Sequence, residues 1–338
     1  MSSTMPDGGS AAAPTGPGAV VEARGRFVDG TFTSDAGTRR WKLWVPSGYD
    51  AARRYPLVVM LHGCTQDPDD LARGTRATAH ADSVGALVLL PEQPQSANPK
   101  KCWNWYDPAH QRRDVGEPAL IAGMTRQVLG DWAVDPQRVY LAGISAGAAM
   151  ASVATISYPD VFAAVALHSG IPFGAASTVL EGVSAMSKGA ADTSRLAHVA
   201  FDAMGTRARE IPAIIVQGAD DPVVRPVNAA QTRDAWIAMN ALARARSGRS
   251  DNGDRAWRRS DSSAGGLAFV EECFAAPSAG ECEVKTLLIS GLGHAWSGGS
   301  KLGTFTDERG PDATTEIFRF LLAHRMADAR ATPGGAGQ

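Results

Sequence analysis

The sequence predicts an α/β fold: a mostly parallel, doubly wound sheet with helices on both faces. Two observations along the chain carry this reading. Short apolar runs rich in Val, Ile and Leu alternate with longer stretches whose apolar residues recur at helical spacing. The pentapeptide Gly143-Ile144-Ser145-Ala146-Gly147 sits directly between one apolar run and a small-residue run suited to a helix. The bulk numbers permit it: 338 residues, 44% hydrophobic and 20% charged, are ordinary globular composition and enough chain for a large core.

The elements follow in order. Trp41-Lys42-Leu43-Trp44-Val45 alternates polar and apolar residues and reads as an early edge strand. Leu57 to Leu61 and Ala86 to Leu90 read as buried strands. Val139 to Ala142 is the strand that leads into the pentapeptide. Ala163 to Leu167 and Ala213 to Val216 continue the sheet, and Val284 to Ser290 closes it. Helices are expected over Pro118 to Trp132, Val227 to Ala245 and Thr314 to Met326. Ile171 to Ala190 reads as irregular, where a lid is often carried. Ser247 to Gly266 mixes Arg and Asp and reads as a surface excursion.

A strand that ends in G-x-S-x-G and turns at once into a helix has the form of the nucleophile elbow of an α/β-hydrolase. The turn strains the backbone at Ser145, admits only small neighbours, and lifts Oγ above the sheet at a helix N-terminus. In that fold the acid and then the base follow the nucleophile, each on a loop after a strand. Asp220 and Asp221 lie on the loop after Ala213 to Val216. Asx turns and helix caps are the commoner fate of a loop Asp. Of the seven histidines, His294 alone follows the acid, follows a strand and has a glycine before it, in Gly291-Leu292-Gly293-His294-Ala295-Trp296. His324 falls in the last helix and His168 precedes the acid. The order Ser145, Asp221, His294, with roughly 75 residues between successive members, suits the fold.

Transition-state charge needs two backbone donors. The amide of Ala146, next to the nucleophile, is one candidate. Leu61-His62-Gly63-Cys64-Thr65-Gln66 follows an early strand and places Cys64 as the second, with Gly63 allowing close backbone approach. Trp103 and Trp105, and Trp296 beside the base, together with Thr65, are candidate substrate contacts; core packing is the equal alternative for the tryptophans. The four cysteines allow three pairings. Cys273 and Cys282 flank a turn-rich loop and suit a local bridge, which leaves Cys64 with Cys102. A Cys64–Cys102 bridge would anchor the oxyanion loop.

A net charge of −2 gives no basic field for nucleic acid, and no apolar run reaches the ~18 residues of a membrane span. Residues 1–24 are rich in Ser, Ala, Gly and Pro and read as a disordered segment without a visible signal peptide. Residues 25–328 read as one catalytic domain and 329–338 as a disordered tail. The cysteines suggest an extracellular or periplasmic location, while the lack of a visible signal leaves the cytoplasm open.

Four segments together resemble the esterase/polyhydroxybutyrate (PHB) depolymerase family: Leu61 to Gln66; Cys102-Trp103-Asn104-Trp105; Gly143 to Met150; and Gly293-His294-Ala295-Trp296-Ser297-Gly298-Gly299. The resemblance spans roughly Arg24 to Met326 and extends to feruloyl and acetylxylan esterases. It implies an α/β-hydrolase fold and a Ser-His-Asp esterase that uses no metal or cofactor. It implies ester substrates built from short hydroxyacids, with feruloyl, acetylxylan or general carboxylesters as the alternative. A non-catalytic binding protein of the same fold is the remote alternative. The family's Gly-x-x-Asp-x-x-Val pattern falls on Gly218 to Val224 and selects Asp221. Gln217 stands where members often have His. No separate substrate-binding domain is expected in this chain.

Overall fold

A computed structural model describes residues 25–249, 255–275 and 281–326. The expected disordered ends, 1–24 and 329–338, lie outside the described residues. Ten strands form one sheet: β1 Arg26–Ser34, β2 Gly37–Val45, β3 Tyr55–Leu61, β4 Leu87–Pro91, β5 Val134–Ile144, β6 Ala164–His168, β7 Ala213–Gly218, β8 Ala256–Ala264, β9 Leu267–Ala275 and β10 Val284–Ile289. Their spatial order is β1-β2-β4-β3-β5-β6-β7-β10-β9-β8. The six central strands, β4 to β10 in that order, run parallel, and antiparallel pairs flank them at both edges.

The helices are α1 Pro68–Thr75, α2 Ala77–Val84, α3 Gly116–Asp131, α4 Ala146–Ser157, α5 Val179–Lys188, α6 Leu196–Met204, α7 Val227–Arg246 and α8 Ala313–Ala323. Every residue of β3 is buried. Leu57, Val59 and Leu61 join the core under α3, α4, α6 and α7, while Val58 and Met60 join the core under α1, α2 and α8. That two-sided burial is why the strand reads as an unbroken apolar run. Each large apolar side chain so buried contributes roughly 1.5–3 kcal/mol. The layering is that of an α/β-hydrolase.

The structure corrects the sheet's edges. Trp41 to Val45 is not at the edge, because β1 pairs outside it along its whole length. Val284 to Ser290 does not close the sheet: β9 and β8 add a hairpin beyond it. The excursion expected over 247–266 therefore holds an edge strand, β8, exposed at every residue. Residues 171–190 are not wholly irregular but contain α5, capped by the Thr178 side chain on the Glu181 amide. Helix α8 stops at Ala323, so His324 caps its end rather than lying within it. A small parallel pair, β11 Trp296–Ser297 with β12 Thr306–Asp307, sits after β10.

Candidate active site

The elbow is built by steric necessity. Ser145 has φ 57° and ψ −123°, a region that costs a non-glycine residue about 1–3 kcal/mol. A Cβ on Gly143 would lie 2.4 Å from the Gly147 carbonyl group, and one on Gly147 would lie 2.2 Å from the Leu61 carbonyl oxygen. Both positions therefore exclude any side chain. The Ser145 amide is tied to the His168 carbonyl on the neighbouring strand at 2.9 Å. Ser145 is partly exposed at the N-terminus of α4, whose dipole favours negative charge there.

Strands β5, β7 and β10 are parallel near-neighbours, so the loops that follow them share one edge of the sheet. The acid and base loops are laced together: Ala219 donates to the Ile289 carbonyl at 2.8 Å and Asp220 to that of Leu292 at 3.1 Å. Gly218 makes this contact possible, since a Cβ there would sit 2.4 Å from the Leu292 oxygen. Nδ1 of His294 bonds Oδ2 of Asp221 at 2.7 Å. A carboxylate only accepts, so Nδ1 carries the hydrogen and Nε2 is left with its lone pair.

Asp221 is fully buried, and its Oδ1 accepts the amides of Val223 and Val224 at 2.8 and 2.9 Å. Gln217, the departure from the family pattern, donates to Oδ2 at 3.2 Å and to the Val224 carbonyl at 3.0 Å. Burial alone would raise the Asp221 pKa. The bonds from His294, Val224 and Val223 overcome it and hold the carboxyl below its ordinary value. Asp220, by contrast, is exposed.

On the loop after β3, the Gly63 amide donates to Gln66 Oε1 at 2.9 Å and the Thr65 amide to the Lys100 carbonyl at 2.6 Å. The Cys64 amide between them has no acceptor among the described residues. A Cβ on Gly63 would be 3.5 Å from Ser145 Cβ, which brings this loop against the elbow. Cys64 is bridged to Cys102, with Cα atoms 4.2 Å apart. Beside the bridge, Trp103 Nε1 donates to the His62 carbonyl at 3.1 Å. His62 itself is buried. Its Nε2 accepts from the Gln93 amide at 3.0 Å, which leaves Nδ1 to donate to the Gly63 carbonyl at 2.8 Å. Burial pushes its pKa down to about 4.

Sequence reasoning missed the group that holds this loop from behind. Glu117, buried on α3, accepts from Gln93 Nε2 at 2.5 Å, Asn104 Nδ2 at 2.6 Å and the Asn104 amide at 2.7 Å. A lone Glu at a helix start carries no pattern that would announce it. Gln66 was likewise invisible as a clasp: its Nε2 reaches the Thr304 carbonyl and Asp70, both at 3.0 Å, and so links the oxyanion loop to the stretch after the base.

The three tryptophans proposed as substrate walls are corrected. Trp103 is fully buried, and Trp296 is 1% exposed, stacked on His168 at 4.9 Å with its Nε1 on Thr314 Oγ1 at 3.0 Å. Neither presents a face to a ligand. Trp105 is 7% exposed and also belongs to the core. Thr65 is exposed, with φ 65° and its hydroxyl donating to the Cys64 carbonyl at 2.6 Å. The second bridge, Cys273–Cys282, joins β9 to the approach of β10.

The arrangement holds a strained serine, an aspartate-oriented imidazole and, at Cys64, an amide without an acceptor among the described residues, parts that acyl transfer needs. Comparison with known proteins agrees. The family model described as esterase PHB depolymerase matches residues 40–259, which include Ser145 and Asp221 but not His294. Poly(3-hydroxyalkanoate) depolymerase C of Paucimonas lemoignei is 32% identical over 222 residues, 62% of this chain and 51% of that protein. Feruloyl esterase B of Thermothelomyces thermophilus is 29% identical over 207 residues, 57% of this chain and 68% of that protein. The chain thus spans about half the length of the depolymerase it matches. The acetyl xylan esterase of Aspergillus awamori superposes with a TM-score of 0.63 at 20% identity, over 80% of this chain and 94% of that one, and shares the fold.

Proposed function

This chain belongs to the esterase PHB depolymerase family, and on that premise we propose that it is a serine carboxylesterase acting on esters of short hydroxyacids, polyhydroxybutyrate or its oligomers among them. The observation that carries the chemistry is the 2.7 Å bond between Asp221 and His294, which leaves Nε2 as a base, on a loop at the same sheet edge as the strained Ser145. Ser145 Oγ attacks the ester carbonyl carbon as Nε2 takes its proton. The tetrahedral oxyanion is held by the amides of Cys64 and Ala146. His294 returns the proton to the leaving alcohol, and the acyl group stays on Ser145. A water that gives its proton to Nε2 then attacks the acyl-enzyme, releases the acid and restores the serine.

The substrate class rests on the relative from Paucimonas lemoignei. The matched feruloyl esterase supports the alternative of a plant-cell-wall or general carboxylesterase. Two disulfides suit an oxidising compartment, so we place the enzyme outside the cytoplasm. The test is hydrolysis of soluble hydroxybutyrate oligomers beside a matched butyrate ester and methyl ferulate, with Ser145→Ala as control. Release of hydroxybutyrate that vanishes in the variant is the expected result. Turnover of only the other two esters would move the function to the alternative, and activity surviving in Ser145→Ala would displace the nucleophile.

A further inference from the structure

Phe305 is, among the described residues, a large aromatic near the base that the fold does not use. It is 43% exposed and belongs to neither core cluster. Its ring stands edge-on to the His294 imidazole, 6.1 Å between centroids and 74° between planes. Its backbone has φ 52°, a left-handed conformation that disfavours a bulky side chain and that glycine would take without cost.

That conformation is fixed from both sides. The Phe305 carbonyl accepts the Trp296 amide at 2.8 Å. The preceding residue is clasped by its amide on Asp70 at 3.0 Å, by its hydroxyl on the same carboxylate, and by its carbonyl to Gln66 at 3.0 Å. The following residue, Thr306, pairs with Trp296 and sends its hydroxyl to the Ser300 carbonyl at 2.8 Å. Behind the loop, Gly303 packs so closely on Gly74 that a Cβ would lie 2.5 Å from its Cα. The chain therefore spends a disfavoured backbone and an exposed ring on one position and holds that backbone in place. Strain so over-determined marks functional positions.

Resting on the serine esterase reading, we propose that Phe305 is a substrate-contact residue that packs against the leaving alcohol and selects esters with a bulky apolar alcohol portion. The side follows from the chemistry. His294 delivers its proton to the alcohol oxygen, so the atoms attached to that oxygen pass beside the imidazole, where the ring stands. The acyl carbonyl faces the Cys64 and Ala146 amides instead. Leu302, 72% exposed on the same loop, extends the apolar surface outward. A ring carried on a backbone held before substrate arrives adds little backbone ordering cost on binding.

The test fixes the acyl group and varies the alcohol: methyl, butyl and benzyl butyrate, with wild type, Phe305→Ala, Phe305→Gly and Phe305→Tyr. Loss of one ring contact to the alcohol is expected to lower the benzyl-to-methyl ratio of kcat/KM roughly tenfold in the Ala and Gly variants, chiefly through KM. Phe305→Tyr keeps the ring and is expected to keep the ratio. The Gly variant relieves the backbone, so a folding defect does not mask the result. An unchanged ratio, or a loss equal on all three esters, overturns the assignment. If the wild type hydrolyses none of the three, the esterase reading fails first and takes the assignment with it.

Discussion

At the scale of single residues, the two adjacent carboxylates on one loop have opposite fates. Asp221 is buried with four hydrogen bonds, and Asp220 is exposed. An asparagine at 221 would keep its oxygen at the Oδ1 position, because two backbone amides point there. Its NH2 group would then face Nδ1 of His294 and force the hydrogen onto Nε2, the nitrogen that must be free. Asp221→Asn is therefore expected to lower kcat by about 10⁴, the scale seen when a triad carboxylate fixes the wrong tautomer. Asp220→Asn is expected to stay within about twofold, as a surface substitution should. Initial-rate kinetics on a soluble ester decide it, and comparable losses in the two variants would unseat Asp221. Sequence alone separated these neighbours only through the family's glycine-to-valine spacing. The physical reason, burial of one and exposure of the other, depends on the 284–294 segment packing across β7.

At the scale of elements, the oxyanion loop is not self-supporting. Segment 100–104 braces it through the Lys100 carbonyl, the Cys102 bridge and the Trp103 indole. Closing a loop of 38 residues stabilises by about 4 kcal/mol in the chain-entropy model, and the nine-residue Cys273–Cys282 loop by about 2.5. The bridges differ in what they hold. Cys64→Ser with Cys102→Ser is expected to lower the unfolding midpoint and to cut kcat about tenfold, because a donor that wanders loses part of its worth of 10²–10³. Cys273→Ser with Cys282→Ser is expected to lower the midpoint while kcat stays within about twofold. Equal kcat in both double variants, measured well below either midpoint, would remove the bridge from the catalytic argument. Among the strands, legibility followed burial. The apolar run of β3 announced itself because both faces are covered. Strand β8 did not, because Arg258, Arg259, Ser260 and Asp261 are all exposed and it is their pairing with β9, not an apolar pattern, that makes them a strand. Helix α6 was missed although Leu196, Ala197, Ala200 and Met204 are buried. The tryptophans failed differently: apolarity in a sequence cannot distinguish a core ring from a ligand wall, and Trp103, Trp105 and Trp296 all went to the core.

At the scale of the whole molecule, the same packing that builds the site stores a sensitivity to acid. His62 and His168 are both fully buried. Burial lowers the His62 pKa to about 4 and that of His168 to about 3, where the neighbouring His294 adds to the effect. A histidine unfolds to a pKa of about 6.5. Both groups therefore bind protons in the unfolded chain before they do in the folded one. Their contribution is fully present above pH 6.5 and is lost as the pH falls from 6.5 toward 4 and 3. Each costs at most about 1.4 kcal/mol per pH unit in that window, and the pair about 2.7, against a total stability on the order of 5–15 kcal/mol. Asp221 and Asp160, held below the ordinary carboxylate value, lose their contributions only at lower pH. His80 and His324 shift in the same direction as the buried pair and steepen the fall. Denaturant unfolding followed from pH 8 to 4.5 is thus expected to give a plateau above 7 and a steep decline below 6.5. His168→Phe keeps the stack on Trp296, removes one titrating group, and is expected to lessen the slope by about 1.4 kcal/mol per pH unit. A slope unchanged by that substitution would mean that His168 titrates alike in both states. The site draws on loop 62–66, Ser145, Asp221 and His294, so once the acid-driven loss exceeds the stability of the fold the catalytic arrangement is unmade as one unit.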